Sequence, residues 1–323
     1  MAHSNPKLVS QSVAVATTAR LHFGFLDPSG RSARPFGSFG LALDRPSTRL
    51  VLQPAPTFEA GGPEREPALR YLRAMAESCG VTRGYRIRID EAIPPHAGLG
   101  SGTQLALAVG SALAAAEGLD LSPREIASRL GRGVRSGIGI ATFEAGGAVL
   151  DSGPTGRSLP ELTARAPFPE AWRVLLIFDA RAQGLAGANE TAAFEALPDF
   201  SEGETAALRE RIMHRALPAL SEGNFVRFCA EVGHLQECMG DYFAPLQGGP
   251  YTSDRVADAL AFLRGEGVTG LGQSSWGPTG FAFAESIEAG DALLAAARRR
   301  MAGTALHFEL AQGRNEGARI ELD

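Results

Sequence analysis

The sequence predicts a chain of mixed helices and strands in two domains, and three observations carry that expectation. Strand-like segments open the chain at 12–19 and return at 85–90, where Tyr-Arg-Ile-Arg-Ile-Asp alternates apolar and polar residues. A glycine-rich loop at 94–104 runs straight into an Ala/Leu-rich segment that reads as a buried helix. A Pro/Gly-rich stretch at 152–170 then marks a boundary, which sets the domains at 1–165 and 166–323.

Composition limits the function. A hydrophobic content of 44% with 21% charged residues is that of a soluble globular chain, and 323 residues are enough for two domains. The net charge of -5 argues against a nucleic-acid partner held by phosphate contacts. Lys7 is the only lysine and lies in a loose start, so arginine must supply every positive contact in a site. Cys79, Cys229 and Cys238 form no CxxC pair and are odd in number, which fits free thiols in a reduced compartment. No charged-then-apolar leader opens the chain, and no apolar run reaches membrane-spanning length. A cytoplasmic protein with no membrane partner is expected.

The strand at 12–19 leads into Arg20-Leu21-His22-Phe23-Gly24-Phe25-Leu26-Asp27. Arg20, His22 and Asp27 place three ionisable groups close in sequence among apolar neighbours, which suits a partly buried site better than a polar hairpin end. A glycine-punctuated segment at 34–43 and a strand at 48–53 follow. Residues 54–67 read as a loop. Leu69, Leu72, Ala76 and Cys79 recur at helical spacing over 68–79, and Gly80 stops that helix. In the strand at 85–90, Arg86 and Arg88 share one solvated face.

The loop Pro94-Pro95-His96-Ala97-Gly98-Leu99-Gly100-Ser101-Gly102-Thr103-Gln104 is the centre of the chain. Its glycines let backbone amides approach an anion. A helix from Thr103 to Glu117 would aim unpaired N–H groups and the positive end of its dipole at the loop, which makes a phosphate site. Ser101 and Thr103 add hydroxyls for phosphate or a metal ion. The Gly-Lys-Ser/Thr ending of a Walker A loop is missing.

Ser122-Pro123-Arg124-Glu125 is a capping box that starts a helix running to about Leu130. Through 131–147, glycines alternate with Arg132 and Arg135 before a strand that ends at Asp151. This run reads as a contact region for an anionic ligand, with either arginine reaching phosphate bidentately and Gly137 beside them. A flexible connector would explain the glycines but not Glu144 set among them. In the second half, 172–179 is an apolar strand and 181–190 a candidate substrate loop. Helical patterns cover 203–217, 222–239 and 254–263, the last capped by Ser253. The loop Gly270–Gly280 holds Gln273, Ser274, Ser275 and Trp276. It is long for a hairpin, and Trp276 is a large group to leave in a turn. A strand at 281–284, a helix and two strands close the chain.

The stretch Pro94 to Gly102 resembles the second motif of the GHMP superfamily, which includes galactokinase, homoserine kinase and mevalonate kinase. Arg20 to Asp27 and Gly270 to Gly280 look like its first and third motifs. The resemblance implies a two-domain α+β fold: an N-terminal domain with the phosphate loop, and a ferredoxin-like C-terminal domain whose third motif closes over the site. The run Arg-Leu-His-Phe-Gly-Phe-Leu-Asp, then Phe-Gly-Ser-Phe-Gly-Leu-Ala-Leu, and Gly-Gln-Ser-Ser-Trp-Gly-Pro-Thr together resemble one branch, the beta-ribofuranosylaminobenzene 5'-phosphate synthases of tetrahydromethanopterin biosynthesis. That branch implies a decarboxylating phosphoribosyl transfer, joining 5-phosphoribosyl 1-diphosphate to 4-aminobenzoate with release of CO2 and diphosphate. It also implies Mg2+, no ATP and a homodimer.

On that reading Gly98, Leu99, Gly100, Ser101, Gly102 and Thr103 cradle the diphosphate. Arg20 and His22 are the cationic or hydrogen-bonding groups for the aminobenzoate, and Trp276 is its wall or else a core residue. Arg135, Gly137, Gln273, Ser274 and Ser275 complete the substrate contacts. Asp27 and Glu144 are the carboxylates for Mg2+ or for the cationic ribose C1, with Ser101 and Glu144 as metal ligands. The chain departs from the kinases in two places. Arg20 and His22 stand where sugar kinases carry a Gly-Glu-His-x-Asp run, and Gln-Ser-Ser-Trp-Gly-Pro replaces Gly-Ala-Gly. An ATP-dependent kinase, a decarboxylase of a phosphorylated acid and a non-catalytic sensor are the alternatives on the same fold.

Overall fold

The computed structural model describes residues 12–30, 35–156, 158–182 and 197–322. Two long strands carry the first half: β1 (Val13–Asp27) and β2 (Phe36–Pro54), paired antiparallel. Burial alternates along β1 from Val13 to Arg20, as in a half-covered strand, and becomes continuous from Leu21 onward. The change marks where the second half of the chain packs over the strand. Register shifts between Thr18 and Arg20 and between His22 and Gly24 bulge β1 there, which re-aims its side chains.

The first sheet is completed by β3 (Glu59–Gly61), β4 (Tyr85–Glu91), β5 (Ala148–Asp151), β6 (Leu162–Ala166) and β11 (Arg319–Leu322), in the order β11-β1-β2-β4-β3 with β5 bridging β2 to β6. Helices α1 (Arg65–Cys79), α2 (Ser101–Ala116) and α3 (Pro123–Arg129) pack with this sheet around Leu72, Met75, Leu107 and Leu113. The capping box of α3 is formed as expected. The region 131–147, expected as a glycine-rich contact loop, is a loop only as far as Gly137. Ile138, Ile140, Ala141 and Phe143 are buried and drive it into α4 (Ile138–Ala145). Gly139 lets α4 close on α2, since a Cβ there would sit 2.9 Å from Thr103 Cγ2.

The second sheet is antiparallel, with β7 (Arg173–Asp179), β8 (Leu271–Gln273), β9 (Gly280–Ala284) and β10 (Leu306–Ala311) in the order β10-β7-β9-β8. Numbered within the sheet that order is 4-1-3-2, the split βαβ arrangement of a ferredoxin-like unit. One face of this sheet packs α8 (Asp254–Gly265) and α9 (Ile287–Arg300) through Leu175 and Ile177. The other face packs α7 (Phe225–Gln247) and β1 through Leu176, Phe281, Phe283, Phe228 and Phe23. Before α7, the expected helix at 203–217 is α5 (Glu202–Arg211), a π-helical turn (Ile212–Ala216) and α6 (Leu217–Ser221). The expected substrate loop at 181–190 lies mostly outside the described residues. Two strands cross the expected boundary at 165/166: β6 ends at Ala166 in the first sheet, and β11 returns to that sheet beside β1. No helix among the described residues is long and apolar enough to cross a membrane.

Candidate active site

The glycine loop turns between β4 and α2 with Gly98 at φ 78° and Gly100 at φ 80°, a region open to glycine and closed to most other residues. Gly100 is the N-cap of α2, and no side chain caps the helix. Uncapped N–H groups at the start of a long helix make a fixed anion site. Gln104 holds this start in place: it is fully buried, donates 2.8 Å to the Gly139 carbonyl and accepts from Thr17 Oγ1.

The three expected motifs meet at this loop. Arg20 Nη1 donates to the Gly98 carbonyl at 2.5 Å, and the Arg20 amide donates to the Leu99 carbonyl at 3.1 Å. Ser274 Oγ donates to the same Gly98 carbonyl at 2.8 Å and accepts from the His22 amide at 3.0 Å. The Ser275 amide donates to the His22 carbonyl at 3.0 Å. Gly98 and Gly277 interlock, because a Cβ on either would overlap the backbone of the other's loop.

A cleft of about 650 Å³ opens over the loop. Gly98, Gly100, Ser101, Gly102 and Thr103 line it, with Arg20, Arg70, Arg132 and Arg135 around them. Arg132 lies over the helix start, with Nη2 3.4 Å from Thr103 Oγ1, and its buried Nε has no hydrogen-bond partner among the described residues. Glu64 is the only carboxylate that lines the cleft among the described residues. Four guanidinium groups against one carboxylate, beside an uncapped helix N-terminus, form a site for a polyanion. His22, Phe25 and Trp276 line the same cleft and give it an aromatic wall. Trp276 is buried against Phe243, ring centroids 4.7 Å apart, and also lines the cleft.

Several expected site residues are elsewhere. Asp27 does not line the cleft, because the first motif is an extended strand and not a hairpin end. At roughly 3.3 Å per residue, Asp27 stands about 20 Å along β1 from Arg20. It accepts instead from Ser29 Oγ at 2.6 Å. Glu144 is exposed and away from the cleft, because the helix α4 that turns Gly139 toward Thr103 carries Glu144 to another face five residues on. It is therefore not placed to share a metal with Ser101. Leu99 is a core residue. Gly137 gives its amide to Asp151 at 2.7 Å and does not reach the cleft. Gln273 and Ser274 are braces: Gln273 Oε1 accepts from the Thr252 amide at 2.6 Å and its Nε2 donates to the Ser275 carbonyl at 3.0 Å.

Sequence reasoning missed Glu64, Arg70 and Asp151. Asp151 is buried and accepts from the amides of Ser38, Gly137 and Gly153 and from Ser136 Oγ, which pins the end of the Arg132–Gly137 loop to β2. Burial nevertheless pushes its carboxyl up to about 6.

His22 is only 3% exposed. Burial, and then the neighbouring Arg20 charge, lower its pKa from 6.5 to about 3. The ring is therefore held neutral and not as a cation. The sign of the linkage follows. Below pH 6.5 an unfolded chain protonates this imidazole and the folded chain does not, so His22 contributes stability above that pH and loses it as pH falls toward 3. Asp151 acts in the opposite sense: its contribution to the folded state is full below pH 3.8 and is lost as pH rises through about 6. A His22→Phe variant should therefore lose less stability than the parent between pH 7 and pH 4.5, as read from urea midpoints. An identical loss in both proteins would mean that His22 is not buried as a neutral ring.

Comparison with known proteins agrees with this geometry. Residues 66–147 match the model of the GHMP kinases N terminal domain, and residues 216–303 that of the GHMP kinases C terminal domain. A beta-ribofuranosylphenol 5'-phosphate synthase of Archaeoglobus fulgidus is 31% identical over 291 residues, covering 85% of this chain and 88% of that protein. The chain belongs to this synthase family. A relative of the same name from Methanothermobacter thermautotrophicus is 29% identical over 289 residues, 82% of this chain and 86% of its own. Among solved structures, homoserine kinase from Cytophaga hutchinsonii matches with a TM-score of 0.62 at 16% identity over 99% of this chain and all of that one. Mevalonate diphosphate decarboxylase from Staphylococcus aureus matches with a TM-score of 0.67 at 13% identity over 97% and 98%. At such identities these two show the fold alone. The relatives' name specifies a phenol product, where the sequence had pointed to an aminobenzene.

Proposed function

We propose that this chain joins 5-phosphoribosyl 1-diphosphate to a para-substituted benzoate, releasing CO2 and diphosphate. The observation that carries the reading is the cleft itself: the arginines and the uncapped start of α2 share one space with Phe25 and Trp276. The phosphorylated sugar carries charge at both ends and suits the four arginines. The ring suits Phe25 and Trp276. The relatives' phenol makes 4-hydroxybenzoate the acceptor to set beside 4-aminobenzoate, since the same reaction on it yields a ribosylphenol.

In this mechanism the amides at the start of α2, with Arg132 and Arg135, hold the leaving diphosphate where its charge develops. As the C1–O bond breaks, C1 becomes cationic, and Glu64, which lines the cleft, is the carboxylate available to it. Arg20 faces the benzoate carboxylate, which must be bound without being over-stabilised because it departs as CO2. Mg2+ takes one or two carboxylates together with substrate phosphates, and Ser101 and Glu64, which both line the cleft, would supply the protein oxygens. When bound it neutralises the diphosphate oxygens. A cytoplasmic homodimer completes the proposal.

The test is release of labelled CO2 from carboxyl-labelled 4-hydroxybenzoate and 4-aminobenzoate with phosphoribosyl diphosphate, Mg2+ and no ATP, on the dimer fraction from gel filtration. Release that depends on phosphoribosyl diphosphate is expected. ADP formation with a small alcohol and ATP, without CO2 release, would make the chain a kinase. Binding without turnover would make it a sensor.

A further inference from the structure

His22 is the buried imidazole of the cleft, and the reaction proposed above gives it no chemical step. Neither ring nitrogen has a hydrogen-bond partner in another residue among those described. Leaving such groups buried and unsatisfied costs about 1–3 kcal/mol each, so native proteins pair them with water or a ligand. The ring borders two spaces. One is the cleft, beside Phe25, Ser275 and Trp276. The other is a small cavity of about 30 Å³ whose polar wall includes Gln236, Gln247 and Gln273. That cavity has room for a water to satisfy one nitrogen. The second nitrogen is left for a group bound in the cleft that His22 lines with Phe25 and Trp276.

We propose that His22 accepts the proton of the para substituent of the acceptor ring, the O–H of 4-hydroxybenzoate or an N–H of 4-aminobenzoate. The inference rests on the reaction proposed above and assigns its unassigned base. The geometry suits it. With the reacting ring carbon turned to the sugar diphosphate, the substituent para to it lies on the other side of the ring, and His22 lines the same cleft as the Phe25 and Trp276 wall. The carbon that bears the carboxylate forms a bond to ribose C1 while the C1–O bond breaks, its electron pair leaving on diphosphate. The para oxygen feeds its lone pair into the ring, becomes a carbonyl, and passes its proton to His22. The bond to the carboxylate then breaks, its electrons restore the aromatic ring, CO2 leaves, and the proton returns from His22 to the oxygen. No oxidant, reductant or further reactant is consumed. The neutral ring that burial and Arg20 enforce is a weak base. It is still far more basic than the oxygen of a cationic dienone, and it returns the proton readily.

The experiment is steady-state kinetics of the parent, His22→Phe and His22→Gln with 4-hydroxybenzoate, its 3-fluoro and its 3,5-difluoro derivatives. Fluorine acidifies the phenol, so the difluoro compound arrives already ionised at neutral pH and needs no base. The expected result is a fall in kcat of about 10²–10⁴-fold for His22→Phe with 4-hydroxybenzoate, shrinking along the series to less than about tenfold with the difluoro acceptor. The KM for phosphoribosyl diphosphate should hold. His22→Gln, which can accept a hydrogen bond but not a proton, should show the same rescue with a smaller effect on acceptor KM, and it decides the matter if His22→Phe does not fold. Equal losses with all three acceptors would make His22 a structural residue and overturn the proposal, as would no loss at all. No CO2 from the parent enzyme with any acceptor would overturn the reaction itself, and the role of His22 with it.

Discussion

Replacing Gly98 by alanine should cost the enzyme at least about a hundredfold in kcat/KM and lower its melting temperature by about 2–6 °C. Both effects have one cause. The Gly98 carbonyl receives Arg20 Nη1 and Ser274 Oγ, so it is the point where all three motifs are tied together. Its Cα faces the third-motif loop with no room to spare: an added methyl would overlap the Ser274 carbonyl oxygen and come within 2.8 Å of Gly277 Cα. The φ of 78° adds left-handed strain for any residue with a Cβ. The two loops must separate, and the amides at the start of α2 then no longer face the arginines across the cleft. A shift of about 1 Å at such a site is enough for a hundredfold loss. Circular dichroism melts and kinetics with the sugar diphosphate varied would read the two effects. A Gly98→Ala enzyme with normal kcat/KM would show that the interlock of these loops does not matter to the reaction.

The phosphate loop was legible because its signals are local. Glycines at 98, 100 and 102 and an apolar helix directly after them need no tertiary information, and α2 begins two residues before the expected Thr103. The order of strands and helices in the second half was legible for the same reason. Residues whose roles depend on how elements pack were not. Asp27 was misplaced because close sequence spacing means proximity in a hairpin and separation along a strand; the bulged but unbroken β1 decided for separation. Glu144 was misplaced because glycines masked the apolar run Ile138–Phe143, which burial against β1, β2 and α2 turns into a helix. Arg70 lies on the exposed side of an ordinary amphipathic helix, and only the packing of α1 beside the glycine loop brings it to the cleft. Asp151 looked like a strand end, and its four hydrogen-bond donors come from three separate segments.

Glu64→Asn should cut turnover by about 10²–10³-fold, the range seen when one group stabilising transition-state charge is removed, while raising stability by about 0.5–1 kcal/mol. Glu64 sits at φ 55°, ψ 26° as the residue before α1, and its side chain does not cap the helix. A non-glycine residue held in this left-handed region is strained, and such strain persists mostly where function demands the residue. Asparagine tolerates the conformation better than glutamate, so relief of strain should show as a higher denaturation midpoint. What asparagine cannot replace is the negative charge. Among the described residues no other carboxylate lines the cleft, and Arg20, Arg70, Arg132 and Arg135 share it. Without Glu64 the charged side chains lining the cleft among the described residues are all arginines, so the cation emerging at ribose C1 would have no carboxylate of the chain, and neither would Mg2+ on the proposed reading. The two roles separate in the assay: loss of Mg2+ binding raises the Mg2+ concentration needed for half-maximal rate, whereas loss of C1 stabilisation lowers kcat at saturating Mg2+. A variant that gains stability and keeps full turnover would reduce Glu64 to a loop-shaping residue and leave the C1 cation to the substrate's own diphosphate.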